Sequence, residues 1–367
     1  MKSSSIRAAL AAAILCVQSS APGAWAADKA PEQRRTFDTK RLELRNLVGR
    51  ITVTGGEGAA FEVTVKPGGK DAASGVPELV VDESGDLTEL TLRFPESKRY
   101  VYPELGSNSS ASFDPADTED SGWLGSLVRG LFGKRITVVG SGSGLEVWAD
   151  VEIRVPRSGS LVVRHGVGFV DAKNVSGRIA VEIRAGSTEA RKVSGELQVE
   201  SGSGGVEVEQ IDGKLTLSTG SGPVTARDVR GSAADISTGS GHVVLERVDS
   251  ESLEVATGSG GVDAEGIGAG KASVATGSGS VSFAFVRMGT GPFDVATGSG
   301  VVALVVPRGA SMDVHAETGS GGIDLDLAGD MKVTRKEKDE VEFTIGAGAS
   351  RVHIATGSGS IRIADAG

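Results

Sequence analysis

The sequence is poor in the residues that build thick cores and reactive sites. It has one cysteine, Cys16, and 4% aromatic residues among 367 positions. A single thiol excludes an internal disulfide framework. So few aromatic side chains argue against a conventional thick core and against a sugar-binding surface lined by aromatic rings. The core is therefore predicted to consist mainly of Val, Ala, Leu, Ile and Thr.

Long hydrophobic runs are also missing. The apolar run from Ala8 to Val17 has about 10 residues, whereas a membrane-spanning helix needs about 20. Basic residues precede this run and small residues follow it, which predicts a secretory signal peptide over residues 1–26, cleaved after Ala26. Because Leu15 precedes Cys16 where a lipoprotein signal needs a small residue, lipidation is not expected. The mature chain would then have no cysteine, as suits an oxidising compartment.

Positive charge is in the minority. The chain has 38 Lys and Arg against 48 Asp and Glu, a net charge of -10, and losing Lys2 and Arg7 with the signal peptide makes it -12. Nucleic-acid binding needs a basic face to contact phosphates, so no nucleic-acid partner is expected.

The dominant feature present is a repeated phrase, Thr-Gly-Ser-Gly, with a period of about 19 residues. It is preceded by Ser201-Gly-Ser-Gly204, and its copies begin at Thr219, Thr238, Thr257, Thr276, Thr297, Thr318 and Thr356. A second corner of the form x-apolar-x-Gly, as in Asn174-Val-Ser-Gly177, recurs in the same register. Such a period with alternating apolar residues indicates an all-β fold, a parallel β-solenoid (β-helix) with two short strands per coil. The double-length gap between Thr318 and Thr356 suggests a degenerate coil there.

The corner residues have a predicted structural role. Glycine is expected where the chain turns with positive φ, threonine is expected to stack on threonine, and serine to bond the corner backbone. The predicted corner residues are Thr219, Gly220, Gly222, Thr238, Gly239, Gly241, Thr257, Gly258, Gly260, Thr276, Gly277 and Gly279.

Outside the regular array of residues 145–367, the sequence divides into three parts. Residues 27–36 are polar and predicted to be disordered, and residues 37–95 are predicted to form irregular coils or a capping sheet. Residues 96–144 form an insertion rich in aromatic residues and glycine. The charged segment from Lys332 to Glu342 is predicted to bulge from the last turns and is a candidate cap for that end.

The insertion contains the candidate binding residues. An apolar stripe with helical spacing, next to a basic residue, comprises Trp123, Leu124, Leu127, Val128, Leu131, Phe132 and Arg129. It has two interpretations, a patch that docks a partner or a membrane surface, or a cover over an open end of the solenoid. The two roles are compatible.

Several motifs together resemble a known family. They are Asn46-Leu-Val-Gly-Arg-Ile-Thr-Val53, Val151-Glu-Ile-Arg-Val-Pro156, the Val-Ser-Gly corners, the repeated Thr-Gly-Ser-Gly-x-Val and the ending Ile354-Ala-Thr-Gly-Ser-Gly-Ser-Ile361. The chain thereby resembles the bacterial putative-adhesin family of unknown function, related to the auto-transporter adhesin head GIN domains. The resemblance implies a non-enzymatic β-solenoid, secreted or associated with the envelope. It offers no catalytic or ligand residue to transfer.

Metal and phosphate motifs are weak. Gly258-Ser-Gly-Gly-Val-Asp263 approaches a calcium-binding nonapeptide, but the same position in other coils is not consistently acidic. Gly266-Ile-Gly-Ala-Gly-Lys271 lacks the spacing and hydroxyl of a phosphate loop. The four histidines, His165, His242, His315 and His353, are scattered in sequence and expected to be solvated, so no metal site and no cofactor are predicted.

The sequence therefore favours an exported, non-catalytic binding or scaffolding module of the bacterial cell envelope, adhesin-like, in the periplasm or on the outer surface. Its partner would be an envelope or surface protein or a polysaccharide, and end-to-end self-association is possible. The alternative is a β-helical polysaccharide-active enzyme, which needs two carboxylates facing one groove. The acidic residues are dispersed in sequence, so their clustering in one groove of the folded chain would favour the enzyme, and an even distribution would favour the binding module.

Overall fold

The computed structural model describes residues 31–73, 76–113, 127 and 135–366. Almost all of their regular structure is β-strand, and a short 3-10 turn lies at Pro103–Leu105. Among these residues no helix has the length and apolar character required to cross a bilayer. The protein is thus an all-β protein, as predicted, and the predicted signal peptide lies outside the described residues.

Long parallel strands form the centre of the molecule. They are β10 (Gly159–Ser203), β11 (Val206–Thr219), β12 (Val224–Thr238), β13 (Val243–Thr257) and β14 (Val262–Thr276). Successive strands pair so that equivalent repeat positions meet, as when Val224 pairs with Val243 and Thr238 with Thr257. Along β13, Leu253, Val255 and Thr257 are buried while Glu254 is exposed, which is the alternation expected of a strand.

Each central strand is continuous around a bend, whereas the sequence predicted two short strands per coil. Where β10 to β13 pair with one another, the pairing skips one residue at the bend, and that residue has positive φ although it is not glycine. The bend residues are Asn174, Lys192, Gln210, Asp228 and Arg247, with φ between 53° and 58°. In β14 the corresponding residue is Gly266, with φ of 71°. Because pairing resumes at once on both sides, the strand does not end there. Arg247 donates to both carboxylate oxygens of Asp228, at 2.7 and 2.9 Å, and so links two adjacent bends.

The Thr-Gly-Ser-Gly corners require glycine because the backbones of adjacent coils lie very close together, and not because the glycines have a left-handed backbone conformation. The glycines of the four central copies do not have φ between +20° and +160°. Instead, a Cβ on the second glycine of each copy would lie 1.6 to 2.0 Å from the carbonyl oxygen of the preceding coil's glycine. No side chain fits in that space, so the prediction of positive φ is wrong for these glycines and close approach explains them. The prediction holds at the other corner, where Gly177, Gly195 and Gly213 have φ of 149°, 122° and 143°.

The buried threonine of each corner joins neighbouring coils. The Thr257 hydroxyl accepts a hydrogen bond from its own coil's Gly260 N–H at 3.0 Å and donates one to the preceding coil's Gly241 carbonyl at 3.2 Å. Thr276 repeats the pattern with its own glycines. The serine between the glycines, such as Ser259, is exposed. Threonine rather than serine therefore organises the corner.

The N-terminal end is covered by shorter strands. They are β1 (Gln33–Phe37), β2 (Arg41–Gly55), β3 (Phe61–Gly68), β4 (Glu78–Ser84), β5 (Leu87–Arg93) and β9 (Trp148–Val155). β2 pairs with β10 on one side and with β5 and β9 on the other, and antiparallel β4, β3 and β1 lie beyond them. The predicted disorder of residues 27–36 is wrong from Gln33 onwards, since β3 supplies backbone partners to this polar segment.

Part of the predicted insertion forms a small separate sheet. It consists of β6 (Arg99–Val101), β7 (Ser110–Phe113) and β8 (Ile136–Val139), with β8 in the middle. Tyr100 and Tyr102 are fully buried, and Tyr100 donates its hydroxyl hydrogen to the Pro95 carbonyl at 2.6 Å. Described residues of the insertion therefore add core to the N-terminal end.

The spatial order of the coils departs from chain order at the C-terminal end. The strands are β15 (Val281–Met288), β16 (Pro292–Ser299), β17 (Val302–Val306), β18 (Met312–Thr318), β19 (Ile323–Asp326), β20 (Met331–Lys336), β21 (Glu340–Ile345), β22 (Ser350–Ser358) and β23 (Ile361–Asp365). β22 lies between β16 and β18, and β23 between β17 and β19. The last coil is thus inserted between the two coils that precede it in sequence.

This insertion corrects the interpretation of the double-length gap before Thr356. The segment contains the antiparallel hairpin β20–β21 instead of a degenerate coil, and β21 pairs antiparallel with β18. The hairpin covers the edge of β18, the role foreseen for this charged segment. Its outer strand β20 is exposed and carries Lys332, Arg335 and Lys336, the kind of charged edge that resists further strand pairing.

One histidine lies in the core. His165 is fully buried, with Nε2 2.9 Å from the Gly49 carbonyl oxygen and Nδ1 3.3 Å from that of Asn46. Burial lowers the pKa of His165 to about 4, because charging the ring would desolvate a cation. The expectation that all four histidines are solvated is therefore wrong for this one.

The burial of His165 predicts acid sensitivity. Between pH 6.5 and 4 the unfolded chain binds a proton that the folded chain does not, so the free energy of unfolding falls as pH decreases, by on the order of 3 kcal/mol. Thermal unfolding across this range should show a smaller pH slope for His165→Gln than for wild type. An equal slope in the two proteins would contradict the assignment.

The threonine contacts predict that, within one corner, losing the threonine hydroxyl destabilises the fold more than losing the serine hydroxyl. Thr257→Val keeps the volume but leaves the buried Gly260 N–H without an acceptor, and should lower the free energy of unfolding by about 1–3 kcal/mol. Denaturant titration would measure this loss. The neighbouring Ser259→Ala is the matched control and should change stability by no more than about 0.5 kcal/mol. A control as damaging as the test substitution would refute the role of threonine.

Candidate functional site at the C-terminal face

A row of ionisable side chains crosses five strands on the outer surface of the C-terminal end. Reading across β16, β22, β18, β21 and β20, the register places Asp294, His353, His315, Glu342 and Arg335 next to one another. We call this row and its immediate neighbours the histidine–carboxylate face. Adjacent strands are about 4.8 Å apart, so these side chains can interact directly.

The two histidines lie side by side. Their ring centroids are 5.3 Å apart and the ring planes are inclined by 41°. His315 Nε2 is 3.1 Å from Glu340 Oε1, and His353 lies 3.7 Å from Glu317 and 3.8 Å from Asp294. The side chains of His315 and His353 are 40% and 45% exposed, respectively, so solutes can reach both rings.

A recess of about 480 Å³ lies over this face. Its charged and polar lining comes from strands that are distant in sequence, namely Asp294, Asp313, His315, Glu342, Arg351 and His353. The hairpin forms one wall through Thr334 and Glu342. The recess therefore has both carboxylate acceptors and a guanidinium donor, which suits a polar ligand rather than an apolar one.

The histidines were expected to lie apart, and this expectation is wrong for His315 and His353. The strands that carry them are adjacent in space although they are not consecutive in the chain. His315 and His353 become neighbours only because β22 is inserted next to β18. The sequence did contain a signal, since each histidine stands three residues before the threonine of its own Thr-Gly-Ser-Gly, Thr318 or Thr356. Aligning the repeats by that threonine would have placed both histidines in one column.

A second ionic cluster lies near the N-terminal end, around Arg50. Its guanidinium lies 2.8 Å from Asp171 and 3.2 Å from Glu104, and stacks over the Phe169 ring at 4.6 Å. The Asp150 carboxylate accepts the Arg50 backbone N–H at 2.9 Å, yet burial raises its pKa above the usual value. Arg50 of β2 thus interacts with all three acids, through its guanidinium with Asp171 and Glu104 and through its backbone N–H with Asp150. These contacts join β2 to β10, where Asp171 lies, and to β9, where Asp150 lies.

The apolar stripe of the insertion is described only at Leu127. This residue is fully buried, and its carbonyl accepts the Phe94 N–H at 2.8 Å. Its side chain belongs to the core and is not available to a partner. The other candidates, Trp123, Leu124, Val128, Arg129, Leu131 and Phe132, lie outside the described residues.

The fold defines a class, that of all-β proteins built from a long stack of parallel strands. More specifically, the chain belongs to the Toastrack DUF4097 family, whose model matches residues 149–364. This agrees with the predicted resemblance to a domain of unknown function. No curated protein matches the chain.

Two solved structures are similar to the chain at low identity. One is a putative adhesin from Bacteroides fragilis, with 10% identity, coverage of 91% of this chain and 97% of that one, and a TM-score of 0.31. The other is a putative cell adhesion protein from Clostridium sporogenes, with 10% identity, coverage of 92% and 100%, and a TM-score of 0.20.

Proposed function

We propose that the protein is an exported, non-catalytic binding or scaffolding module of the bacterial cell envelope, adhesin-like in its action. The observation that carries this proposal is the histidine–carboxylate face, where one recess collects polar side chains from several coils. Because each coil is fixed in register with the next, the face is organised before a ligand arrives. Such preorganisation reduces the entropy lost on binding.

The partner proposed is an envelope or surface protein or a polysaccharide. Asp294 of β16 and Asp313 of β18 flank β22, on which His353 lies opposite Asp294 and Arg351 lies opposite Asp313. Alternating acceptors and donors of this kind can bind hydroxyl, amide or charged groups. The stripe residues other than Leu127, which lie outside the described residues, are proposed as a second contact, and this proposal is compatible with a covering role.

End-to-end self-association through the two ends of the strand stack has less support than binding at the recess. The outer strands β1, β4 and β20 are short and largely exposed, and two of them carry several charged residues. Asp324 and Asp326 occupy the short edge strand β19. Charged, short edges disfavour strand addition, so we propose that the ends limit stacking rather than drive it.

An enzymatic alternative would use the acidic cluster around Arg50. Burial raises the pKa of Asp150, which is the direction that favours a general acid. A cluster of acids also favours this hypothesis more than dispersed acids would. However, Glu104 and Asp171 are ion-paired to the same guanidinium. We therefore propose a structural role for this cluster. Polysaccharide cleavage lost in Asp150→Asn would support the enzyme instead.

Charge reversal tests the binding function. In Asp294→Lys/Asp313→Lys the recess loses two acceptors, so binding to isolated envelope fragments should weaken by at least about 10-fold. Co-sedimentation would measure the affinity. Asp263→Lys/Glu265→Lys makes the same charge change on exposed positions of β14 and should bind within about 2-fold of wild type. Equal binding by both folded variants and wild type would exclude the recess as the binding surface.

A further inference from the structure

We infer that His315, Glu340 and Glu342 form a binding site for a divalent transition-metal ion of the zinc type. One ligand atom from each residue can be chosen so that all three lie within 4.8 Å of one another, and each residue is half-buried. No metal site is predicted from the sequence alone. The cluster arises because the hairpin lies against β18.

The ligand chemistry suits zinc. An imidazole nitrogen and two carboxylate oxygens bind Zn²⁺ at about 2.0–2.2 Å. In a tetrahedral site such atoms are about 3.3 Å apart, so His315 Nε2 and Glu340 Oε1, at 3.1 Å, already have a suitable separation. Calcium and magnesium prefer oxygen ligands alone, so the histidine favours a transition ion.

The backbone fixes the three positions. His315 on β18 pairs directly with Glu342 on β21. Glu340 stands two residues before Glu342 and therefore points to the same side of its strand. A bound ion would join the hairpin to the coil it covers. Three protein ligands would also leave a coordination position for water or for a group of the ligand.

One resident cation competes for the site. Arg335 Nη1 lies 3.1 Å from Glu340 and also has Glu337 as a partner through Nε at 2.9 Å. Arg335 thus neutralises part of the negative charge of Glu340, which would otherwise attract a metal ion. Removing the guanidinium should strengthen metal binding, whereas a purely structural ion pair predicts no effect on metal affinity.

This inference rests on the proposed function, since it assigns a ligand class to one wall of the same recess. The test uses the untagged full-length chain with Cys16→Ser in every variant, so that no thiol or tag binds metal. Isothermal titration with zinc chloride should show one saturable site per chain. His315→Gln should weaken it by at least about 10-fold, and Arg335→Gln should tighten it several-fold.

His242→Gln is the matched control, because His242 also contacts a carboxylate, Asp263, at 2.9 Å, but within the described part of the chain it belongs to no group of three metal-binding side chains. It should bind zinc like the parent protein, and circular dichroism should show that all variants are folded. Absence of saturable zinc binding, or equal affinity in His315→Gln and the parent protein, would overturn the metal site.

The two proposals can fail separately. If zinc binding is absent and envelope binding persists in the presence of EDTA, the metal site is wrong and the binding module stands. If zinc binds as expected but Asp294→Lys/Asp313→Lys leaves envelope binding unchanged, the metal site stands and the proposed binding surface is wrong.

Discussion

The structure depends on one contact, the close approach of glycine backbones from adjacent coils at the Thr-Gly-Ser-Gly corner. The Gly241 carbonyl oxygen occupies the space that a Cβ on Gly260 would need, and the Thr257 hydroxyl links the same two glycines by accepting from one and donating to the other. A side chain at the second glycine would separate the coils. Loss of the hydroxyl would leave a buried N–H without an acceptor. The corner therefore sets both spacing and register.

Fixed register determines what the outer surface can do. Since equivalent residues stand in columns, a row of side chains on this surface is assembled from single residues contributed by neighbouring strands. The row from Asp294 through His353 and His315 to Glu342 is built in this way. Insertion of the last coil between two earlier ones then creates neighbours that chain order would not suggest. The hairpin β20–β21 completes the row and covers the last parallel strand of that sheet.

Sequence reasoning recovered the all-β class and the parallel arrangement because the repeat period and apolar alternation are local properties. It assigned the wrong cause to the corner glycines, since a close approach between coils cannot be distinguished from positive φ in a sequence. Positive φ occurs instead at the other corner, at its glycines Gly177, Gly195 and Gly213. It also occurs at the bend residues Asn174 and Asp228, whose side chains tolerate it, and at Lys192, Gln210 and Arg247. His165 was misjudged because burial depends on which coil lies beside it.

By itself the sequence determined the repeating unit, which residues face inwards and where each coil turns, because these follow from alternation and from the small size of glycine. Only the tertiary structure decided the order of the coils at the C-terminal end. β22 pairs with β16 and β18, and β21 of the hairpin pairs with the other edge of β18. These pairings are contacts between segments far apart in the chain, so local sequence patterns do not reveal them. The histidine–carboxylate face is likewise decided by the tertiary structure, since its residues become neighbours only when the last coil lies between the two coils before it.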